Sequence, residues 1–304
     1  MNLDNLFVCP SCKKHFMQGQ CVSCGAKYLE ENSAVMNFIS PQIYTSVSAY
    51  EEAKRLIDFW GNGWSKRLLE SDHSFLFLMN KDELQVYVDQ SRAWHVANKT
   101  LMGHEVAQTA LDGKIALNIG CGAGDEALIL ARSGAYCLAM DITKPAAEAT
   151  HSLLQIIGGG VGFQGDARFL PLPDCSVDLI YSSGVLHHST DLPRSISEIQ
   201  RVLKPGGTAY IMLYAKWSIT FIQEKLLGWS GEKAWETEGR RNPLTNTYSV
   251  EQCKHLLKSF SNTSISKRGG SIKNIAKIGR YLPTIFDPFI DKNLGANLNI
   301  VTTK

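Results

Sequence analysis

The chain has 304 residues, of which 44% are hydrophobic and 20% are charged, and its formal net charge at pH 7 is +2. This length and composition are typical of a globular protein with one full α/β domain and a smaller appendage. No stretch approaches the roughly 20 uninterrupted apolar residues of a membrane span, and the start of the chain, MNLDNLFVCP, lacks a basic region followed by an apolar core. We therefore expect a cytoplasmic protein with no membrane partner.

Four of the 8 cysteines lie near the start of the chain, in the segment FVCPSCKKHFMQGQCVSCGAKY. Cys9 and Cys12 form one Cys-x-x-Cys pair, and Cys21 and Cys24 form a second. Two such pairs supply the four tetrahedral sulfur ligands that zinc prefers, and disulfides are not expected in a chain without a secretion signal. The spacing predicts a zinc ribbon within residues 1–39, with iron or an empty reduced site as the alternatives.

Residues 40–112 contain no recognisable catalytic motif, but apolar residues at helical spacing predict a helical cap. We expect helices over residues 49–59 and 89–108, and a turn at the glycines of residues 61–63. Aromatic side chains of such a cap can close a ligand pocket, or they can pack the ribbon onto the main domain. The aromatic candidates are Tyr44, Tyr50, Trp60 and Trp64.

From residue 113 onward, apolar segments of strand length alternate with helical segments. This alternation predicts a doubly wound, mostly parallel α/β sheet, which binds ligands at the carboxyl ends of its strands. The expected strands are residues 115–119, 135–140, 160–164, 177–182 and 208–214, and the expected helices between them are residues 126–133, 146–157 and 192–203.

The first of these strands leads into Gly120, Gly122 and Gly124, and the second leads into Asp141 and Ile142. Glycines allow backbone amides to approach a ligand closely, and an acidic residue about 20 positions further on can accept hydrogen bonds from both ribose hydroxyls. The pattern predicts an adenosine-containing cofactor. Dehydrogenases and methyltransferases both use such a pattern, so the glycines alone do not separate hydride transfer from methyl transfer.

The ends of the next two strands carry further polar residues. Asp166 and Ala167 follow the third strand, where the carboxylate could accept from the exocyclic amine of adenine and the amide could donate to a ring nitrogen. The fourth strand leads into Ser183 and then into His187 and His188. A Leu-Lys-Pro-Gly-Gly turn at residues 203–207 precedes the fifth strand.

The segments LNIGCGAGDEALILA, MDIT, GDARFLPLPDCSVDLIYSSGVLHH and RVLKPGGTAYI resemble, in this order, the class I S-adenosylmethionine-dependent methyltransferases of the small-molecule and biosynthetic type. The resemblance covers about 100 residues and implies a seven-stranded Rossmann-like sheet that binds S-adenosylmethionine. A dehydrogenase would not be expected to carry both the Gly-Asp-Ala and the Leu-Lys-Pro-Gly-Gly elements at these positions.

The resemblance also implies a role for individual residues. It places the methionine part of the cofactor at Gly120, Gly122 and Gly124, the ribose at Asp141 with Ile142, the adenine at Asp166 with Ala167, and the sulfonium beside Ser183. The family usually has an acidic residue where this chain has Asn118. An amide there can still orient the loop or meet the cofactor's ammonium group through its carbonyl, but it brings no countercharge.

Methyl transfer of this kind is an in-line displacement, which requires alignment, exclusion of water and, for an acceptor that must lose a proton, a base. His187 and His188 are the candidate bases, because imidazole titrates near neutrality and both residues follow a strand end that adjoins the methyl group. The alternative is that one or both histidines only hydrogen-bond the loop.

Two long segments interrupt the last part of the domain. A lid insert at residues 215–248 is expected to cover the acceptor site or to form a dimer contact; it contains Lys216, Trp217, Phe221, Trp229, Trp235, Arg240 and Arg241. A helix over residues 248–260, with Ser249 as N-cap, should follow, and residues 264–268 and 298–302 should form a closing antiparallel strand pair. The excursion between them, residues 269–296, is expected to add a further wall with Lys273, Lys277, Arg280, Tyr281 and Phe286.

Two acceptor classes remain open from the sequence. The fourth strand is not followed by an Asn/Asp-Pro-Pro-Tyr or a Pro-Cys motif, which favours a general O or N methyl transfer to a small or carrier-bound metabolite, such as a natural-product intermediate, sugar or glycan. The alternative acceptor is RNA, since residues 240–304 contain 11 Lys or Arg against 3 Asp or Glu. A solvated surface that balances an acidic body would explain the same charge excess.

The cysteine-rich segment adds to the RNA hypothesis. Its CPSC and CVSCG pairs and the following YLEENSAVMNF resemble the zinc ribbons of some bacterial methyltransferases, including rRNA guanine-N1 methyltransferases, and the small zinc-binding activator of tRNA and protein methyltransferases. The rRNA enzymes complete their metal site with a histidine, whereas this chain offers a fourth cysteine. A third hypothesis is a non-catalytic zinc-ribbon adaptor, and the oligomeric state stays open.

Overall fold

The computed structural model describes residues 6–17, 19–28, 33–70, 74–106, 109–219, 221–223, 242–271 and 283–304. Several residues that the sequence singled out lie outside these ranges: Gln108 of the second expected helix, Trp229, Trp235, Arg240 and Arg241 of the lid insert, and Lys273, Lys277, Arg280 and Tyr281 of the C-terminal excursion.

The described strands and helices follow in chain order. The strands are β1 (Phe16–Met17), β2 (Gln20–Cys21), β3 (Ile115–Ile119), β4 (Tyr136–Asp141), β5 (Gly160–Gln164), β6 (Val177–Ser183), β7 (Leu203–Tyr214), β8 (Thr263–Arg268) and β9 (Asn297–Thr303). The α-helices are α1 (Val47–Glu70), α2 (Lys81–Ala97), α3 (Asp125–Arg132), α4 (Lys144–Ile157), α5 (Leu192–Val202), α6 (Val250–Leu256) and α7 (Asp287–Leu294).

The central sheet has seven strands in the order β5-β4-β3-β6-β7-β9-β8. β3 to β7 pair in parallel, while β9 pairs antiparallel with both β7 and β8. The expected doubly wound, mostly parallel sheet is therefore confirmed. Its parallel strands are almost continuously buried because helices cover both faces, and their carboxyl ends share one edge of the sheet.

The expected glycine turn in the cap is wrong, because α1 runs without interruption through residues 61–63. Leu56, Trp60 and Trp64 recur at four-residue spacing and line one cavity, so one face of the helix packs over the main domain on both sides of the glycines. A glycine inside a helix costs only about 1 kcal/mol relative to alanine, which this packing outweighs. A Cβ built on Gly61 would meet no atom within 4 Å, so this glycine faces open space.

The second expected helix extends less far toward the C-terminus than the pattern suggested. α2 begins with a capping box, in which Asn80 accepts from the Glu83 amide and Glu83 accepts from the Asn80 amide. It ends at Ala97, and Lys99 then takes a left-handed conformation with φ of +50°. A separate π-helical turn follows at Met102–Val106.

The N-terminal ribbon extends the central sheet beyond β5. Its antiparallel strands β1 and β2 end at Cys21, the other three cysteines flank this strand pair, and Asn37 then forms a parallel bridge to Gln164. The Phe38 amide donates to the Gln164 carbonyl at 2.9 Å, and the rings of Phe38 and Phe163 pack at 5.7 Å. The ribbon is therefore part of the same core as the main domain.

The last third of the domain closes the sheet as expected. Ser249 caps α6 in a capping box with Gln252, and β8 pairs with β9 in antiparallel register. A bridge between Ala215 and Tyr248 joins the two ends of the lid insert. Among the residues that the structure describes, no helix is both long and apolar enough to cross a membrane.

Candidate active site

A cavity of about 370 Å³ lies at the carboxyl ends of β3, β4 and β6. The glycine-rich loop after β3 and the segment after β6 form part of its lining. α1 contributes Leu56, Trp60, Trp64 and Arg67, which lie on one face of the helix because they are spaced by four or three residues. The aromatic residues of the cap are expected either to close a ligand pocket or to pack the ribbon onto the main domain. For Trp60 and Trp64 the structure supports the first alternative, because both line the cavity.

The expected cofactor residues do not all reach this cavity. Gly120, Gly122, Asp141, Ile142, Asp166, Ala167 and Ser183 line it, whereas Gly124 and Asn118 do not. Gly124 instead takes φ of +100° as the N-cap of α3. The cavity also has polar lining residues that sequence reasoning missed, namely Arg67, Asp125, Glu126, Arg168, Thr190 and Tyr214.

Packing within the protein requires glycine at two positions of the loop after β3, in addition to any requirement of a ligand. Gly120 and Gly122 have φ of +74° and +52°, which disfavour a side chain. A Cβ on Gly120 would lie 2.2 Å from Cγ2 of Val185, and one on Gly122 would lie 2.6 Å from the Trp64 ring. The cap and the segment after β6 therefore contact bare backbone at this loop.

Asp141 holds the glycine loop from the end of β4. Its Oδ2 accepts from the Gly122 amide at 3.1 Å, and its Oδ1 accepts from the amide and the hydroxyl of Thr143, both at 2.9 Å. Burial raises the pKa of the Asp141 carboxyl, and these amide donors oppose the rise. The carboxylate retains lone pairs on the cavity side, where ribose hydroxyls could donate.

Asp166 is more heavily engaged than the sequence suggested. The Arg168 guanidinium donates to both of its oxygens, with the shortest contact at 2.6 Å, and the Tyr44 hydroxyl donates to Oδ2 at 3.0 Å. The side chain of Asp166 is 4% exposed to solvent, and that of Arg168 is 8% exposed. An adenine amine would have to share or displace one of these donors, whereas Ala167 lies beside them in the cavity lining.

The structure separates the two histidines. His188 lines the cavity, its ring lies 4.9 Å from Trp60, and its Nδ1 lies 2.8 Å from the Leu244 carbonyl oxygen. His187 is fully buried, stacks on Tyr214 at 3.8 Å, and has no partner for either ring nitrogen among the described residues. Burial lowers the pKa of His188 to about 4 and that of His187 well below its ordinary value.

Asn118 lies beneath the cavity and does not line it. Its side chain is 1% exposed, its Nδ2 donates to the Tyr181 carbonyl at 3.4 Å, and its Oδ1 has no partner among the described residues. Besides Asp141 and Asp166, the carboxylates of Asp125 and Glu126, the first two residues of α3, reach the lining. The pKa of Glu126 is raised to about 7, first by burial of its carboxyl group and second by the negative charge of Asp125.

The four N-terminal cysteines form one cluster whose sulfur atoms all lie within 4.8 Å of one another. Individual Sγ–Sγ distances are 3.6 Å for Cys9 and Cys24, 3.4 Å for Cys12 and Cys21, and 3.8 Å for Cys12 and Cys24. Four sulfurs placed tetrahedrally at the Zn–S distance of about 2.3 Å would be about 3.8 Å apart. The cluster therefore fits a zinc ion.

Comparison with known proteins identifies the central domain. Residues 117–211 match a family described as "Methyltransferase domain". An uncharacterized methyltransferase of Bacillus subtilis, YcgJ, is 40% identical over 93 residues, which are 30% of this chain and 37% of that protein. A malonyl-[acyl-carrier protein] O-methyltransferase of Methylococcus capsulatus is 33% identical over 138 residues, which are 45% of this chain and 48% of that protein.

These similarities are confined to part of each protein, since the chain spans less than half the length of either curated relative. A crystal structure of an S-adenosylmethionine-dependent methyltransferase from Archaeoglobus fulgidus matches with a TM-score of 0.51 at 16% identity, and the match covers 70% of this chain and 94% of that chain. At this identity the likeness supports the fold alone.

Proposed function

Because residues 117–211 form a class I S-adenosylmethionine-dependent methyltransferase domain, we propose that the whole chain transfers a methyl group from S-adenosylmethionine to an O or N acceptor on a small or carrier-bound metabolite. The observation that carries the proposal is a cavity bounded both by the glycine-rich loop and by α1. Such a cavity suits one small ligand beside a reactive side chain better than it suits a polymer groove.

The residues that would hold the cofactor follow from the lining. Asp141 would accept from the ribose hydroxyls, Ala167 would donate to the adenine ring, and Ser183 would lie near the sulfur. The bound cofactor would supply an activated methyl group. The side chains of Trp60 and Trp64 would exclude water from the reacting atoms, which favours transfer to the acceptor over hydrolysis.

His188 is the residue of this site best suited to take a proton from the acceptor. A carbonyl can only accept, so the tautomer that donates from Nδ1 to Leu244 would leave Nε2 as the basic nitrogen, whereas the Asn242 amide nitrogen, 3.0 Å from the same Nδ1, would donate to the opposite tautomer. The lowered pKa keeps the ring neutral near pH 7, which a general base requires. His187 does not line the cavity; it stacks on the lining residue Tyr214 and would act only through packing.

The zinc that we propose for the cysteine cluster would be structural. Four cysteines leave no coordination position for a substrate, and the Tyr28 hydroxyl lies 3.1 Å from the Cys9 sulfur as an outer contact. The ribbon precedes the segment that pairs with β5 and leads to Tyr44. Zinc binding would therefore support the wall of the cavity that contains Asp166.

Two observations favour a metabolite over RNA as acceptor. The relative from Methylococcus capsulatus is named for a carrier-bound acceptor. Several cations of the basic C-terminal part are engaged within the chain: Arg268 pairs with Asp291 at 3.2 Å, and Lys267 and Lys304 donate to backbone carbonyls. Cations held in this way are less available to phosphates than free ones.

The test offers tritium-labelled S-adenosylmethionine to the purified chain together with a cell extract, and then separates RNA, protein and small molecules. We expect label in small molecules or on acyl-carrier protein, and none with Asp141→Ala. Label in RNA would replace the proposed acceptor with the alternative one. Absence of transfer, together with absence of S-adenosylhomocysteine binding, would contradict the methyltransferase activity and favour the adaptor hypothesis.

A further inference from the structure

The start of α3 brings two adjacent carboxylates, Asp125 and Glu126, into the lining of the cavity. The Tyr87 hydroxyl of α2 donates to Oδ1 of Asp125, so this carboxylate is already engaged. The carboxylate of Glu126 accepts from its own backbone amide and receives no side-chain hydrogen bond from the described part of the chain. Glu126 is therefore an acid at this end of the cavity that has lone pairs left for a ligand.

A second acceptor lies buried on the same side of the sheet. Asn118 of β3 is in register with Tyr181 of β6, and partners in register project their side chains to the same face. Tyr181 packs in the core cluster that includes the buried residues of α3. Burial is the first cause that raises the pKa of Tyr181, and the negative charge of Glu126 is the second. Asn118 Oδ1, which has no partner among the described residues, thus lies beneath the end of the cavity that holds Glu126.

These groups select a particular chemistry. A carboxylate that lacks a side-chain donor, with a neutral amide oxygen behind it, favours a ligand group that carries a positive charge and several N–H donors. An alkylammonium group meets both requirements. S-adenosylmethionine and S-adenosylhomocysteine each carry one such group, at the amino-acid end, which the resemblance of the glycine loop places near Gly120 and Gly122.

We propose that Glu126 binds the ammonium group of the cofactor and so supplies the negative charge that Asn118 lacks. This inference rests on the proposed function, because it requires that the cavity bind S-adenosylmethionine. In this arrangement the countercharge would lie in the first turn of α3 and not in the buried strand β3. Glu126 would be a cofactor-binding residue, and Asn118 would lie behind it as a neutral acceptor.

The experiment compares two ligands that differ only in the ammonium group. Dissociation constants are measured by calorimetry for S-adenosylhomocysteine and for its desamino analogue, which keeps the adenosine and the carboxylate. The variants are Glu126→Gln, which preserves shape, and Glu148→Gln on the adjacent helix α4, which lies outside the cavity lining. Thermal unfolding of each variant establishes that it is folded.

We expect Glu126→Gln to weaken S-adenosylhomocysteine binding at least tenfold and to change desamino-analogue binding less than twofold, while Glu148→Gln changes neither. Equal losses for both ligands would assign Glu126 a structural role and overturn the inference, and so would unchanged binding of both. Failure of the unaltered chain to bind either ligand would instead overturn the proposed function, and this inference with it.

Discussion

The Tyr44 hydroxyl donates a 3.0 Å hydrogen bond to Oδ2 of Asp166, a residue 122 positions further along the chain. Tyr44 belongs to the segment that follows the cysteine-containing ribbon, and Asp166 lines the cavity at the end of β5. The bond therefore ties the N-terminal part of the protein to the expected adenine end of the site. Arg168 completes this arrangement, since its guanidinium lies 5.3 Å from the Tyr44 ring centroid.

Tyr44→Phe should destabilise the protein by about 1 to 2 kcal/mol, because a buried carboxylate loses one donor. Chemical denaturation at pH 7 measures this difference. Tyr50→Phe is the matched control, since the Tyr50 ring contacts Tyr44 at 5.5 Å and the side chain is only half-buried. Equal stability of the two variants would show that the hydroxyl of Tyr44 contributes nothing.

Loss of the proposed zinc should destabilise the ribbon and the core that it shares with the central sheet. Cys12→Ser removes one of four sulfur ligands, so metal analysis should show less zinc per chain and thermal unfolding should begin at a lower temperature. Cys175→Ser changes an exposed cysteine outside the cluster and should leave both measurements unchanged. Full zinc content in Cys12→Ser would mean that the cluster is not the metal site.

The two histidines should respond differently to substitution. His188→Gln should lower turnover at saturating cofactor by about a hundredfold or more if the acceptor must lose a proton. His187→Phe keeps a ring against Tyr214 and removes two unpartnered nitrogens, so it should retain turnover and gain about 1 kcal/mol of stability. Unchanged turnover in His188→Gln would remove the base from the mechanism.

Glu126 should make the stability of the protein fall with rising pH. Its pKa of about 7 in the folded chain lies above the value of about 4.3 expected in the unfolded chain. Between these values the native state keeps a proton that the unfolded state has lost, so the free energy of unfolding decreases as the pH rises through this window. Burial is the first cause of this raised pKa, and the charge of Asp125 is the second.

Glu126→Gln should therefore be more stable than the unaltered chain by about 1 to 3 kcal/mol at pH 8, and similar to it at pH 4. Denaturation at the two pH values measures the difference. A constant difference at both pH values would show that Glu126 keeps an ordinary pKa. Because the same residue is proposed to bind the ammonium group, the variant should gain stability and lose cofactor affinity together.

Two glycines should give opposite results when replaced by alanine. Gly61→Ala in α1 should stabilise the protein by about 0.5 to 1 kcal/mol, because the added methyl group meets open space within a helix. Gly122→Ala should destabilise it, since φ is +52° and the methyl group would lie 2.6 Å from the Trp64 ring. Thermal unfolding of the two variants tests both, and destabilisation by Gly61→Ala would contradict an uninterrupted α1.

Most of the central sheet could be predicted from the sequence. β3 and β5 have the expected bounds, and the ends of β4 and β6 differ from them by at most one residue, because continuous apolar runs of strand length are local signals. The glycines of residues 61–63 misled the prediction of α1, since a local preference for a turn was outweighed by burial of Leu56, Trp60 and Trp64 against the cavity. That burial depends on residues far away in the chain.

The sequence by itself determined the parallel sheet, the glycine loop with Asp141 and the two cysteine pairs, because each depends on residue types at short, fixed spacing. Only the tertiary structure decided that His188 lines the cavity while His187 does not, and that Glu126 reaches it while Asn118 lies beneath. Residues that are close in the sequence can differ in whether they reach the cavity, because the direction of a side chain and the packing between distant segments determine which groups face a ligand.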